Sequence, residues 1–364
     1  MSAANSRKRR RARELGLSPG ILEPGPLNAI TDVAGVRVGH VALIEGASIR
    51  TGVTAILPHG GNLFQEKVRA GLAVGNGFGK LAGATQITEL GVLETPVILT
   101  NTLAVGTAVN ALVSWTLDHP DNEDVTSVNA VAGETHDGRL NDIRARAVTD
   151  AHVLEAIRAA RGGAVAEGCV GAGTGTMAFG LKAGIGTASR RLSAHKSGFT
   201  VGVLVQANFG GVLMMDGLRV AEALGLPIPG GLDNGPQAEG QSEGGSCMIV
   251  LATDAPVLER NLTRMAWRCF LGLARTGAIL AGGSGDYALA FSTRNPVCRG
   301  STAQMVEEWP NERMDPLFLA AVEATEEAVL NALCMATEMT GYRGRHAGVL
   351  DLEWLQRFVP ERRK

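Results

Sequence analysis

The sequence predicts an α/β protein folded as one layered unit, and three observations carry that expectation. Apolar runs of strand length alternate with segments of helical spacing along much of the 364 residues. One run, Cys247-Met248-Ile249-Val250-Leu251-Ala252, is unbroken, which suits a strand covered on both faces. No Pro/Ser-rich linker or charge run divides the middle of the chain, so residues 15–364 read as a single domain.

Composition narrows the function. With 45% hydrophobic and 19% charged residues the balance is that of an ordinary globular protein. Glycine is high, 48 of 364 residues, against a usual share of about 7%, which implies many tight turns and close backbone approaches. A net charge of −2 and few aromatics make no case for nucleic acid. Cys169, Cys247, Cys269, Cys298 and Cys334 follow no CxxC spacing and read as reduced thiols, with no metal site. No stretch has the length of a membrane span. Residues 1–14, with Arg7, Lys8, Arg9, Arg10, Arg11 and Arg13, lack a following apolar segment and read as a solvated, disordered basic tail rather than a secretory signal. A cytoplasmic protein is the resulting expectation, with no membrane partner.

Taken in order, residues 28–40 read as a turn into a strand and 52–58 as a second strand, while Gly71–Lys80 is expected to open a helix. Residues 95–101 form an apolar strand, and Leu112, Trp115 and Leu117 continue at helical spacing. The densest polar cluster, Val131 to Ile143, holds Glu134, His136 and Asp137; a hydrogen-bonded turn and a functional site are both open readings of it. A helix is expected over 149–163, capped near Thr149 or Asp150. The glycine-rich stretches 171–176 and 184–190 lack the spacing of a phosphate loop. Residues 201–210 form a strand ending at Asn208. After the loop 227–245 come the strand starting near Ser246, an amphipathic helix from Asp254 to Gly277, a loop into a strand over 282–293, and a last helix from Asp315 to Gly341.

The sharpest change of character falls at the Gly245-Ser246 bond. Before it lie Pro227, Pro229, Pro236 and repeated glycines; after it the apolar strand begins. A cut there would give Ser246 a free α-amine beside its own hydroxyl. Such an amine titrates near pH 7.7–8 in model compounds, so one residue would serve as nucleophile and base. The plain alternative is a Gly-Gly-Ser loop before an ordinary core strand, as in an unprocessed, non-catalytic glycine-rich binding protein.

Gly245-Ser246, the apolar run and Ala252-Thr253-Asp254-Ala255-Pro256, together with the segments at 28–40, 131–143, 171–190, 201–210 and 282–293, closely resemble the self-processing β-aminopeptidase family, peptidase family S58. The resemblance covers most of the chain. It implies a four-layer αββα sandwich of the N-terminal nucleophile hydrolase kind and cleavage into α (1–245) and β (246–364) polypeptides. It also implies hydrolysis of the N-terminal residue from a peptide, amide or ester with a free amino group, with no cofactor and with αβ units assembled into a homo-oligomer. By the same resemblance Ser246 is the nucleophile, Asn208 an oxyanion donor, Glu134 the holder of the substrate ammonium, and Ser284 and Asp286 the residues that orient the new α-amine. Some family members carry Glu where this chain has Asp286. His136 is not taken as the base, because the α-amine already fills that role. An acyltransferase working through the same acyl-enzyme is the alternative within catalysis.

Overall fold

In chain order, the computed structural model, which describes residues 9–193, 198–226 and 245–362, begins its sheets with the hairpin β1 (Arg37–Glu45) and β2 (Ile49–Leu57). Next come β3 (Glu66–Gly77), the two short strands β4 (Leu81–Ala82) and β5 (Val92–Leu93), β6 (Val97–Asn101) and helix α1 (Val105–Leu117). Strand β7 (Val131–Thr135), helix α2 (Asp150–Ala159), β8 (Ile185–Arg191) and β9 (Thr200–Asn208) follow; the loop expected before Ser246 falls almost wholly on residues 227–244, outside the described residues. After it run β10 (Ser246–Thr253), α3 (Glu259–Arg275), β11 (Gly285–Cys298) and α4 (Asp315–Cys334).

These strands form two main sheets, β1-β2-β6-β7-β4 and β8-β9-β10-β11-β3-β5. Each contains one parallel pair, β6 with β7 and β10 with β11; the other neighbours run antiparallel. Side-chain alternation sorts the core into three layers. Met248, Val250 and Ala252 of β10 meet Ile56, Val97, Leu99 and Val131 between the sheets. Cys247, Ile249 and Leu251 face α3 and α4, through Leu262, Met265, Cys269, Leu317 and Val329. On the far side, Ala111, Leu112, Val153 and Ile157 of α1 and α2 cover Val53, Ala55 and Ile98. The architecture is therefore the αββα sandwich expected, with β10 buried on both faces. Full burial of Met248, Ile249, Val250 and Leu251 stabilises by roughly 1.5–3 kcal/mol per side chain, which fixes the strand that Ser246 begins.

Several boundaries differ from the sequence reading. Residues 71–77 belong to β3 rather than to a helix, because they pair with β11 from Leu289↔Leu72 to Gly285↔Gly77. Helix α3 starts at Glu259, not Asp254: the Asp254 carboxylate accepts from the Thr200 N–H at 2.7 Å and so ties β9 to β10 instead of capping the helix. Helix α2 ends at Ala159, short of 163. Helix α4 ends at Cys334 rather than near Gly341, where Arg9 takes its last carbonyls by donating from Nε to Cys334 O at 2.8 Å and from Nη2 to Leu333 O at 3.3 Å.

That arginine marks a larger correction. Residues 1–8 lie outside the described residues, but 9–14 are docked rather than solvated. Arg11 pairs with Glu167 at 2.8 Å and Arg13 with the buried Glu327 at 2.9 Å, while Ala12 and Leu15 enter the core. Glu327 also meets the buried Arg190 at 2.9 Å. Carboxylates buried on α4 need cations, and the amino-terminal arginines supply part of that need. All five cysteines are unpaired thiols. Among the described residues no helix is long and apolar enough to cross a membrane.

Candidate active site

The site forms where the head of β10 meets the ends of β9 and β7. Register places Asn208, the last residue of β9, opposite Ser246, the first of β10, and Gly285, the first of β11, on its other side. Ser246 is 2% exposed. From the facing sheet, the chain leaving β7 sends the His136 backbone N–H to Ser246 Oγ at 3.0 Å. Asn208 Nδ2 lies 3.5 Å from the same oxygen. Its amide orientation is set by the Met177 N–H, which donates to Asn208 Oδ1 at 3.1 Å and leaves the NH₂ group turned toward the serine. Two donors from different sheets thus converge on one hydroxyl oxygen.

Gln206 helps hold the two sheets in that relation. Fully buried in β9, it donates from Nε2 to Thr135 Oγ1 at 2.7 Å and to the carbonyls of Thr100 and Ala172, each at 3.0 Å. The turn behind His136 is fixed by Asp137, whose Oδ1 accepts from Asn141 Nδ2 at 3.0 Å. The carbonyl of Gly245, at the bond the sequence marks, accepts from the Gly285 N–H at 3.2 Å. A donor there polarises that carbonyl toward attack.

Ser284 and Asp286 lie at the head of the neighbouring strand. The Ser284 hydroxyl donates to Asp286 Oδ1 at 2.8 Å, while Asp286 Oδ2 is buried with no hydrogen-bond partner among the described residues. Asp286 is in register with Cys247 and shares its face toward α3 and α4, whereas the Ser246 side chain has the parity of Met248 and faces the other sheet. The acid therefore does not touch the serine hydroxyl; the Ser246 backbone nitrogen lies in the sheet between the two faces. Burial pushes the Asp286 carboxyl up to about 6. Because this value lies above the ordinary one, the folded chain loses stability as pH rises through that range and is relieved of the penalty near pH 4. In an uncut Ser246→Ala background, Asp286→Asn is expected to stabilise on the order of 2 kcal/mol at pH 8 and to bring no gain at pH 4, read as melting temperatures at the two pH values.

Glu134, 3% exposed on β7, is the third part of the site. Its Oε1 accepts from the Lys80 N–H at 3.1 Å, its Oε2 accepts from the Thr102 hydroxyl, and the Lys80 ammonium lies 3.9 Å from Oε1. Gly79 is the spacer between this carboxylate and the head of β11, the strand beside β10: a Cβ there would sit 2.9 Å from Gly285 Cα and 3.2 Å from Glu134 Oε1. Asn101, whose Oδ1 accepts from the Leu103 N–H at 3.0 Å, shapes the turn that presents Thr102.

The sequence model of peptidase family S58 matches residues 28–347. The chain belongs to peptidase family S58. Among S58 relatives, a beta-peptidyl aminopeptidase, BapA, of Sphingosinicella microcystinivorans is 41% identical over 366 residues, covering 94% of this chain and 90% of that protein. The PH0078 protein of Pyrococcus horikoshii OT3 superposes with a TM-score of 0.89 at 44% identity, covering 98% of this chain and 100% of its own. The L-aminopeptidase D-Ala-esterase/amidase of Ochrobactrum anthropi, described as a prototype of the serine aminopeptidases and a variant of the Ntn hydrolase fold, superposes at 0.88 with 37% identity over 97% of this chain and 98% of its own. This S58 member is accordingly a serine-type aminopeptidase of the N-terminal nucleophile hydrolase fold.

Of the residues singled out from the sequence, Ser246 and Asn208 meet directly, Ser284 and Asp286 bond to each other on the adjacent strand, and Glu134 stands one glycine's width from that strand. Sequence reasoning named no particular backbone donor; the N–H that meets Ser246 Oγ is that of His136, a residue otherwise exposed. Thr102 and Lys80 were missed. A threonine directly after an apolar strand and a lysine after a glycine-rich stretch carried no signal by themselves.

Proposed function

We propose that this aminopeptidase matures by cutting its own Gly245-Ser246 bond and then uses Ser246 as an N-terminal nucleophile. The observation that carries this reading is the convergence of the His136 N–H and the Asn208 amide on Ser246 Oγ, at the first residue of a strand buried on both faces. In the uncut chain, Ser246 Oγ attacks the Gly245 carbonyl carbon while the Gly285 N–H steadies the carbonyl oxygen. The serine hydroxyl proton passes to the departing nitrogen as the C–N bond breaks and the ester forms, and water hydrolyses that ester to leave the Gly245 carboxylate and a free Ser246 amine. In the cut enzyme that amine takes the hydroxyl proton as Oγ attacks the substrate carbonyl. His136 N–H and Asn208 Nδ2 receive the oxyanion, the leaving group departs with the proton, and water releases the acyl group by the same steps.

Substrate selection follows from Glu134. A carboxylate that is nearly fully buried gains most from a cation that neutralises it, so a free amino terminus is the entry requirement. The substrate is a peptide, amide or ester whose N-terminal residue, of the α- or β-amino kind, presents that amine. Ser284 and Asp286 hold the new Ser246 ammonium, which supplies the partner that Asp286 Oδ2 lacks in the uncut chain. The αβ units assemble into a homo-oligomer in the cytoplasm, checked by light scattering of the purified enzyme and by fractionation.

The test is the intact mass of denatured, freshly purified protein, followed by hydrolysis of one peptide with its amino group free and N-acetylated. Two polypeptides, the second beginning at Ser246, and cleavage of the free-amine form alone are expected. A chain that stays whole yet is active removes the N-terminal nucleophile mechanism.

A further inference from the structure

Glu134 is approached from three directions, and one of them is surplus to a site built to take a substrate ammonium. The Thr102 hydroxyl and the Lys80 N–H are neutral donors that leave its charge intact. The third is a cation. Lys80 is 54% exposed along its side chain, yet its ammonium stays 3.9 Å from Glu134 Oε1 instead of extending into solvent. Its backbone is anchored at the same oxygen, so the root of the side chain is fixed while the head is free to turn.

We propose that Lys80 is a specificity-determining residue that selects substrates bearing a carboxylate as well as a free amine, namely short peptides with a free C-terminus over their amides and esters. The inference rests on the reading of Glu134 as the ammonium site. Once a substrate ammonium pairs with Glu134, one carboxylate faces two cations, and an anion restores the balance. A lysine head on a four-carbon stem is a compact, mobile charge, suited to leave Glu134 and meet that anion. A neutral amide offers no such partner, so Lys80 remains beside Glu134 and competes with the incoming amine. The effect falls on binding, because both charges lie away from the reacting carbonyl.

The experiment compares kcat and KM of the processed wild type, Lys80→Met and Lys80→Arg. The substrates are L-alanyl-L-alanine or β-alanyl-L-alanine, whichever the wild type cleaves, and its C-terminal amide. The wild type is expected to favour the free acid about tenfold in kcat/KM, mainly through KM, the size expected of one charge-assisted hydrogen bond. Lys80→Met brings the ratio near one by raising KM for the acid and lowering it for the amide, and Lys80→Arg restores the preference. A ratio that Lys80→Met leaves unchanged overturns the proposal. N-acetylated forms of both substrates separate the two levels: if the wild type cleaves them as readily as the free amines, the Glu134 reading falls and this one with it. If a free amine is required but the ratio does not move, only the role of Lys80 falls.

Discussion

Ser246→Ala is expected to give a single chain of 364 residues with no measurable aminopeptidase activity, and the wild type is expected to give two polypeptides. The substitution removes one oxygen from a residue 2% exposed and adds nothing that must be accommodated, so the sandwich stays intact. The local cost is the loss of an acceptor for the His136 N–H and the Asn208 amide, about 1–3 kcal/mol for a buried donor left unpaired. That is small beside the loss of the nucleophile. Ser246→Cys is the control: a thiol at the same place is itself nucleophilic, and cutting is expected to return. Mass spectrometry reads both outcomes, and an Ala variant that is still cut at Gly245 would assign the chemistry to another group.

Asn208→Ala is expected to lower kcat by about 10²–10³ with little change in KM, the usual consequence of losing one donor to a developing oxyanion. The side chain has two tasks, accepting from the Met177 N–H at 3.1 Å and directing its amide to Ser246, so the alanine variant removes both. Asn208→Asp separates them. It keeps an acceptor for Met177 but replaces the donor with a negative charge beside the oxyanion, and it should be at least as slow. If the Asp variant retains wild-type kcat, the residue serves only to hold the Met177 turn. Because the same donor could slow maturation, rates are normalised to the processed fraction measured by mass.

The parts of this fold that were legible in the sequence are those whose signal is local. The head of β10 shows itself because loop composition changes to an apolar run at one peptide bond, and α3 and α4 show their apolar residues at helical spacing. The start of α3 was misplaced because Asp254 followed by Pro256 matches a helix opening, while its actual bond, to Thr200, spans 54 residues of chain. The amino-terminal arginines read as solvated because a basic run is soluble by itself. Their acceptors on α4 and near Glu167 come from more than 150 residues away. Three glutamates, Glu323, Glu326 and Glu327, buried in a mostly apolar helix were the available hint that cations were needed. The His136 donor was illegible for a different reason. A backbone N–H carries no residue signature, and its aim depends on β7 stacking over β10 across 110 residues of sequence.

The order β8-β9-β10-β11-β3-β5 interleaves the two sides of the Gly245-Ser246 bond. Strands β10 and β11 come from the segment after it, and they are flanked by β9 and β3 from the segment before it. A cut at that bond turns a folding problem of one molecule into one of two. While the chain is whole, β10 is tethered to the ladder it must join; once severed, the 119-residue fragment has to find a slot between β9 and β3, which do not pair with each other. Heat or denaturant would then separate partners whose reunion depends on concentration and competes with aggregation, so the lifetime of the mature enzyme is governed by its unfolding rate and not by a refolding equilibrium. An enzyme matured by that cut trades renewability for chemistry: each molecule is assembled once.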